Sequence, residues 1–322
     1  MNLKTWPALA SAGRVLRDAA TQWMDAKAQR MGAALSFYAV ISLAPLLVLV
    51  VAVAGFFLGP EAAGGQLALQ IQGTVGRPVA NALQGMIQAA QSPRSNAHTI
   101  IGLVVLLFGA SGVFAELQDS MNTIWQVTPK PGRALLTILR DRFLSFAMIM
   151  SVCFLLLASL VVTAALAALA RWWTPSSLPG GAWLWQGLNF AVSFLVITLL
   201  FALILKVLPD ARVLWKDVWV GAAVTALLFT LGKLLLALYL ARSSVTSGYG
   251  AAGSLVVVLL WIYYAAQIVL FGAAFTHAYA LRFSGGIQPA PNAVRLTPAD
   301  RALQGIPTSS DIQAAEAAHR RA

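Results

Sequence analysis

Between Tyr249 and Thr276 the chain carries no charged residue. As an α-helix rising ~1.5 Å per residue, that run is about 40 Å long, more than the ~30 Å hydrocarbon layer of a bilayer requires. The stretch 247–281 therefore reads as a membrane span. It opens on a Gly-rich turn, carries Trp261, Tyr263, Tyr264 and Gln267 along its middle, and ends at His277 just before Arg282. Polar groups at that depth find no water, so they need partners on other helices. One such span implies a bundle around it.

Composition supports that class. Apolar side chains make up 59% of the 322 residues and charged ones only 10%, against roughly 25% charged in soluble proteins. The expectation is an all-α polytopic membrane protein with six transmembrane helices, at about 31–59, 99–120, 143–170, 183–208, 218–240 and 253–281. Segment 1–30 precedes them, with Trp6, Leu9, Leu16, Ala20, Trp23 and Met24 at helical spacing and Lys4, Arg14, Arg17, Lys27 and Arg30 mostly elsewhere. That pattern suits an amphipathic cytoplasmic helix lying on an anionic membrane surface. Residues 60–98 repeat apolar positions every fourth residue from Leu67 to Ile87, which predicts an amphipathic periplasmic helical segment. Residues 284–322 turn Gly-, Pro- and Ala-rich and are expected to form a largely disordered cytoplasmic tail, with helix starts signalled at 297–300 and 311–321.

The formal net charge of +11 follows membrane topology rather than nucleic acid. All but five of the 22 Lys and Arg fall in 1–30, in the loops after spans two and four, and in the tail. The five are Arg77, Arg94, Arg171, Arg242 and the intramembrane Lys233. By the positive-inside rule both termini are expected to be cytoplasmic. Membrane lipids are the expected partners, together with an unnamed ion, lipid or small molecule.

Candidate chemistry is sparse. Pro45 lies inside span one, where its missing N–H predicts a kink near Ile41, with Ser42 placed to satisfy a freed carbonyl. Glu116, Asp119 and Asn122 sit where span two leaves the bilayer, so the carboxylates mark either an ordinary helix exit or a coupling site. Lys233 either snorkels to the outer interface or meets an anion inside the bundle. His277 lies at about the depth of Glu116 and Asp119, which makes it either a solvated interfacial group or the centre of a proton relay. Gln267, a turn after Tyr263, either joins helices or contacts substrate. His98, His277 and His319 have no metal-ligand spacing, Cys153 is alone, and no phosphate loop or nucleophile elbow occurs. No metal, cofactor or enzymatic role is therefore expected.

The segments Ala33-Ala34-Leu35-Ser36-Phe37-Tyr38, Ser42-Leu43-Ala44-Pro45, Asn122-Thr123-Ile124-Trp125, Tyr249-Gly250-Ala251-Ala252-Gly253, Trp261-Ile262-Tyr263 and Gly272-Ala273 together resemble the YihY/BrkB family of bacterial inner-membrane proteins, the UPF0761 type. The resemblance covers about residues 20–283 and implies six spans with cytoplasmic ends. The family pattern usually follows this Gly-Ala with Glu, whereas Ala274 stands here. The family also carries an old ribonuclease BN label, for which the chain offers no set of metal ligands or acid–base residues. The expected function is a transporter or lipid-handling protein, with a non-transporting scaffold or envelope-assembly factor as the alternative. If Lys233, Gln267 and Glu116 all face lipid or tight helix contacts, with no cavity between them, the scaffold is favoured.

Overall fold

A computed structural model describes residues 6–42, 112–130, 181–242 and 253–320. In chain order these form α1 (Trp6–Asp25), α2 (28–42), α3 (112–124), β1 (Val127–Pro129), α4 (Gly181–Val207), β2 (Ala211–Arg212), α5 (Trp215–Arg242), α6 (Gly253–Phe283), β3 (Gln288–Pro289), β4 (Ala293–Arg295), α7 (Pro298–Leu303) and α8 (Ser309–His319). Pro45, most of the first two expected spans, the third and the segment 60–98 lie outside the described residues.

Three helices are long and apolar enough to cross a membrane, over Gly187–Val207, Trp215–Tyr239 and Leu255–Phe283. Each occupies one of the six expected segments. Helix α5 shows why they need lipid. Its Leu227, Leu231, Leu234, Leu235 and Leu238 are all about half exposed or more, while Ala222, Ala226 and Phe229 are buried. A leucine face of that extent would be an aggregation surface in water and is ordinary against acyl chains.

Helix α5 packs against both α4 and α6. The α5–α6 contact is antiparallel and built on a repeated pentad: Gly221-Ala222-Ala223-Val224-Thr225 on α5 and Gly272-Ala273-Ala274-Phe275-Thr276 on α6. A Cβ on Gly221 would collide with Thr276, and one on Gly272 would collide with Thr225. Each threonine hydroxyl meanwhile donates to its own glycine's carbonyl, both at 2.7 Å, so no polar group at this close approach is left open. Farther along, Gly232 leaves room for the Tyr264 hydroxyl.

Helices α1 and α2 run antiparallel to α6. Asp18 faces Arg282, Gln22 faces His277, and Ala28 faces Gln267. The break between them falls at Lys27, whose φ of 54° is left-handed, and its ammonium reaches the Gly305 carbonyl at 2.5 Å. The buried face of α1 holds Val15 and Ala19, whereas Leu16 and Met24 from the expected apolar stripe are exposed. The helix is docked lengthwise on α6.

The tail, expected to be largely disordered, carries strands and helices as far as His319. Strand β4 pairs antiparallel with β1, Val127 opposite Arg295, and β3 pairs with β2, Ala211 opposite Pro289. Capping boxes at Thr297/Asp300 and Thr308/Asp311 start α7 and α8. Ile287, Ala293, Leu296 and Ile306 are buried. At about 46 Å for its 31 residues, α6 overshoots a ~30 Å hydrocarbon layer, and the tail, α1 and the end of α3 gather around its last turns.

Candidate functional site

His277 is 5% exposed. The side-chain amide nitrogen of Gln22 donates to the Ile124 carbonyl at 2.5 Å and lies 2.6 Å from His277 Nδ1. The carbonyl can only accept, which fixes the amide's orientation, so Nδ1 accepts as well and the neutral imidazole carries its proton on Nε2. The Trp125 ring lies beside it, centroids 6.2 Å apart. Glu116 is half-buried and Asp119 exposed on α3, and no hydrogen bond or ion pair among the described residues joins either to His277. Depth alone had placed them together; Gln22 and Trp125 occupy the imidazole's surroundings.

Over this histidine opens a cleft of about 630 Å³ walled by α1, the end of α3, the last turns of α6 and the tail. Arg17, Arg282, Arg301, Thr308 and Ser310 line it. Arg282 and Asp18 approach to 3.8 Å. Arg301 is held more firmly, by two bonds to the Asp311 carboxylate at 2.7 and 2.6 Å and one to the Leu296 carbonyl at 3.0 Å. That fork, followed by the Thr308 backbone N–H, holds the Asp311 carboxyl well below the usual carboxylate range.

Asn122 belongs to a second polar cluster, centred on Asp210, which sequence reasoning passed over. The buried Asp210 carboxylate accepts from Asn122 at 2.9 Å, Asn292 at 2.9 Å and Gln118 at 3.3 Å, and its backbone N–H donates to the Asn122 side-chain oxygen at 2.8 Å. The cluster ties α3, the α4–α5 loop and the tail at one point. Asp217, 1% exposed in the first turn of α5, accepts from the Ser284 hydroxyl at 2.7 Å. Both look in sequence like ordinary turn and helix-start carboxylates, and only their partners from the tail reveal burial.

Within the spans, Gln267 donates to the Ala28 carbonyl at 3.2 Å and fills the space a Cβ on Gly32 would need. It joins helices. Lys233 is partly buried on α5, and neither it, Gln267 nor Glu116 lines either of the two described cavities. Tyr263 does line one, a groove of about 390 Å³ between α2 and α6 shared with Ser36, Tyr239, Leu259 and Leu260. Ser42 donates to the Ala39 carbonyl at 3.1 Å. Ala274 is fully buried on α6. Among the described residues no three His, Cys, Asp or Glu gather as metal ligands.

The family model described as "Virulence factor BrkB" matches residues 19–297, from α1 through the tail strands to the cap of α7. The chain belongs to the BrkB family. Curated BrkB-type relatives include a UPF0761 membrane protein of Pseudomonas aeruginosa strain LESB58, 34% identical over 54% of this chain and 41% of its own length. A UPF0761 membrane protein of Bordetella petrii is 29% identical over 83% of this chain and 57% of its own. The chain thus spans about two-fifths to three-fifths of these BrkB relatives. No solved structure matches it. Relatives named as membrane proteins and three apolar helices of spanning length make it a membrane protein.

Proposed function

We propose that this BrkB-family chain is a lipid-handling or transport protein of the bacterial inner membrane, with both termini cytoplasmic as the Lys and Arg distribution favours. The observation that carries it is the α2–α6 groove. It lies along the apolar part of α6, its walls are mostly aliphatic, and it places the Ser36 and tyrosine side chains of Tyr239 and Tyr263 beside an apolar slot. That combination suits the chain and polar shoulder of an amphiphile. Lys233, Gln267 and Glu116 line neither described cavity, which counts toward the scaffold, so the transport reading rests on the groove alone.

Reconstitution with a photoactivatable phospholipid tests it. Ala33→Trp and Leu259→Trp, both at exposed rim positions, should block the groove and cut labelling of α2 and α6 severalfold while leaving helix content unchanged. Unchanged labelling, with no flux of lipid or ion in liposomes, would leave the scaffold reading in its place. That second reading is favoured by Gln267, whose contacts with Ala28 and Gly32 are those of a helix joint.

A further inference from the structure

The end cleft has a composition that the groove does not explain. Four elements distant in sequence converge on it, and its volume of about 630 Å³ lies within the ~300–1,000 Å³ typical of small-molecule sites. Its charged lining sets three arginines, Arg17, Arg282 and Arg301, against two carboxylates, Asp18 and Asp25. Arg17 projects from α1 with no hydrogen bond or ion pair to a described residue. Arg282 has only the 3.8 Å approach of Asp18, a carboxylate 61% exposed to solvent, and pairs of that kind hold weakly. Thr308 and Ser310 add hydroxyls at the mouth, and Arg301 is already neutralised by Asp311. Beneath the mouth lies His277, whose Nδ1 is taken by Gln22.

We propose that the cleft binds a phosphate group between the Arg17 and Arg282 guanidinia, carried either by a free anion or by a lipid headgroup. A guanidinium presents paired N–H donors to two phosphate oxygens at once, and a phosphate displaces the solvent-exposed Asp18 from Arg282 without uncovering a buried charge. The Thr308 and Ser310 hydroxyls lie 2.8 Å apart and share one hydrogen bond, which leaves one O–H to donate from the tail side. The site is separate from the α2–α6 groove and stands or falls independently of it.

The test uses the full chain in detergent, titrated with inorganic phosphate for the free ligand and with dihexanoyl phosphatidic acid for the headgroup, at constant ionic strength in chloride. Saturable binding of either probe is expected, and the tighter one names the source. Arg17→Gln should weaken it roughly tenfold or more, the cost of losing a charge-assisted contact. Arg17 is exposed and without a described partner, so this variant keeps the fold. Lys216→Gln, an equal charge loss away from the cleft, should leave affinity unchanged. Failure of both probes to bind, or equal weakening by Arg17→Gln and Lys216→Gln, would overturn the assignment.

Discussion

Replacing Gly272 with alanine tests how closely the membrane bundle is interlocked. The new Cβ would stand 2.9 Å from Thr225 Cγ2 and 3.0 Å from Thr225 Cβ, and it would overlap the Thr225 hydroxyl. Ordinary carbon contacts lie at about 3.5–4.0 Å, so α5 and α6 must part by roughly 0.5–1 Å or Thr225 must turn away. Turning is opposed twice, by the χ1 stiffness of a β-branched residue in a helix and by the 2.7 Å bond to the Gly221 carbonyl. Separation is therefore the outcome, in the middle of the ~1–3 kcal/mol range for overpacking, or about 2 kcal/mol. Thr225→Ala removes the hydroxyl and methyl and leaves only the Cβ at 3.0 Å. The double variant should then recover about half of the loss, a favourable coupling of at least ~1 kcal/mol between the two changes. Unfolding in mixed micelles by SDS titration, followed by helix content, measures all four corners of the cycle. A Gly272→Ala protein with the wild-type midpoint, or penalties that simply add, would refute the interlock.

Two further outcomes concern the end of the bundle. Asp210→Ala strips the shared acceptor from Asn122, Asn292 and Gln118 and should cost about 3 kcal/mol, with amide exchange accelerating across 286–296 before it does in α5 or α6. Uniform exchange would mean that the cluster does not hold the tail. The Arg301–Asp311 clasp should respond to acid in one direction only. Because the folded Asp311 titrates below its unfolded counterpart at about 3.9, its contribution is complete above about pH 4 and fades as pH falls further, through the folded value. Protease resistance of the α7–α8 segment should stay level from pH 7 to 5, and Asp311→Asn should lower it throughout. A decline between pH 7 and 5 in the wild type would contradict this.

Much of the membrane architecture could be read from the sequence because charge-free runs such as 249–276 leave one physical solution. What they could not convey is azimuth. Helical rise put His277 and the α3 carboxylates at one depth, but which face met which depended on Gln22, a residue 255 positions away. Asp210 was missed for the same reason, since its Asn122 partner is 88 positions distant. The tail failed differently. Its capping signals at Thr297 and Thr308 were legible, yet Ile287, Leu296 and Ile306 stand singly among Pro and Gly, without a period to announce that each would be buried. The Gly-Ala-Ala-x-Thr pentad at 221 and 272 was in plain view, and acquires meaning only once α5 and α6 are known to lie antiparallel.

The pairing of α1 and α2 with α6 also sets an order of events in synthesis. Gln267 bonds to Ala28 across 239 positions, and His277 meets Gln22 across 255. At about 5–20 residues per second, a ribosome needs roughly 10–50 s to make the intervening chain. Helix α1 leaves the ribosome well before α6, the helix on which it is seated. Until α6 is inserted, the face around Val15 and Ala19 lacks the α6 surface that α1 packs on, and during that interval it is open to whatever factor or membrane surface attends the nascent chain.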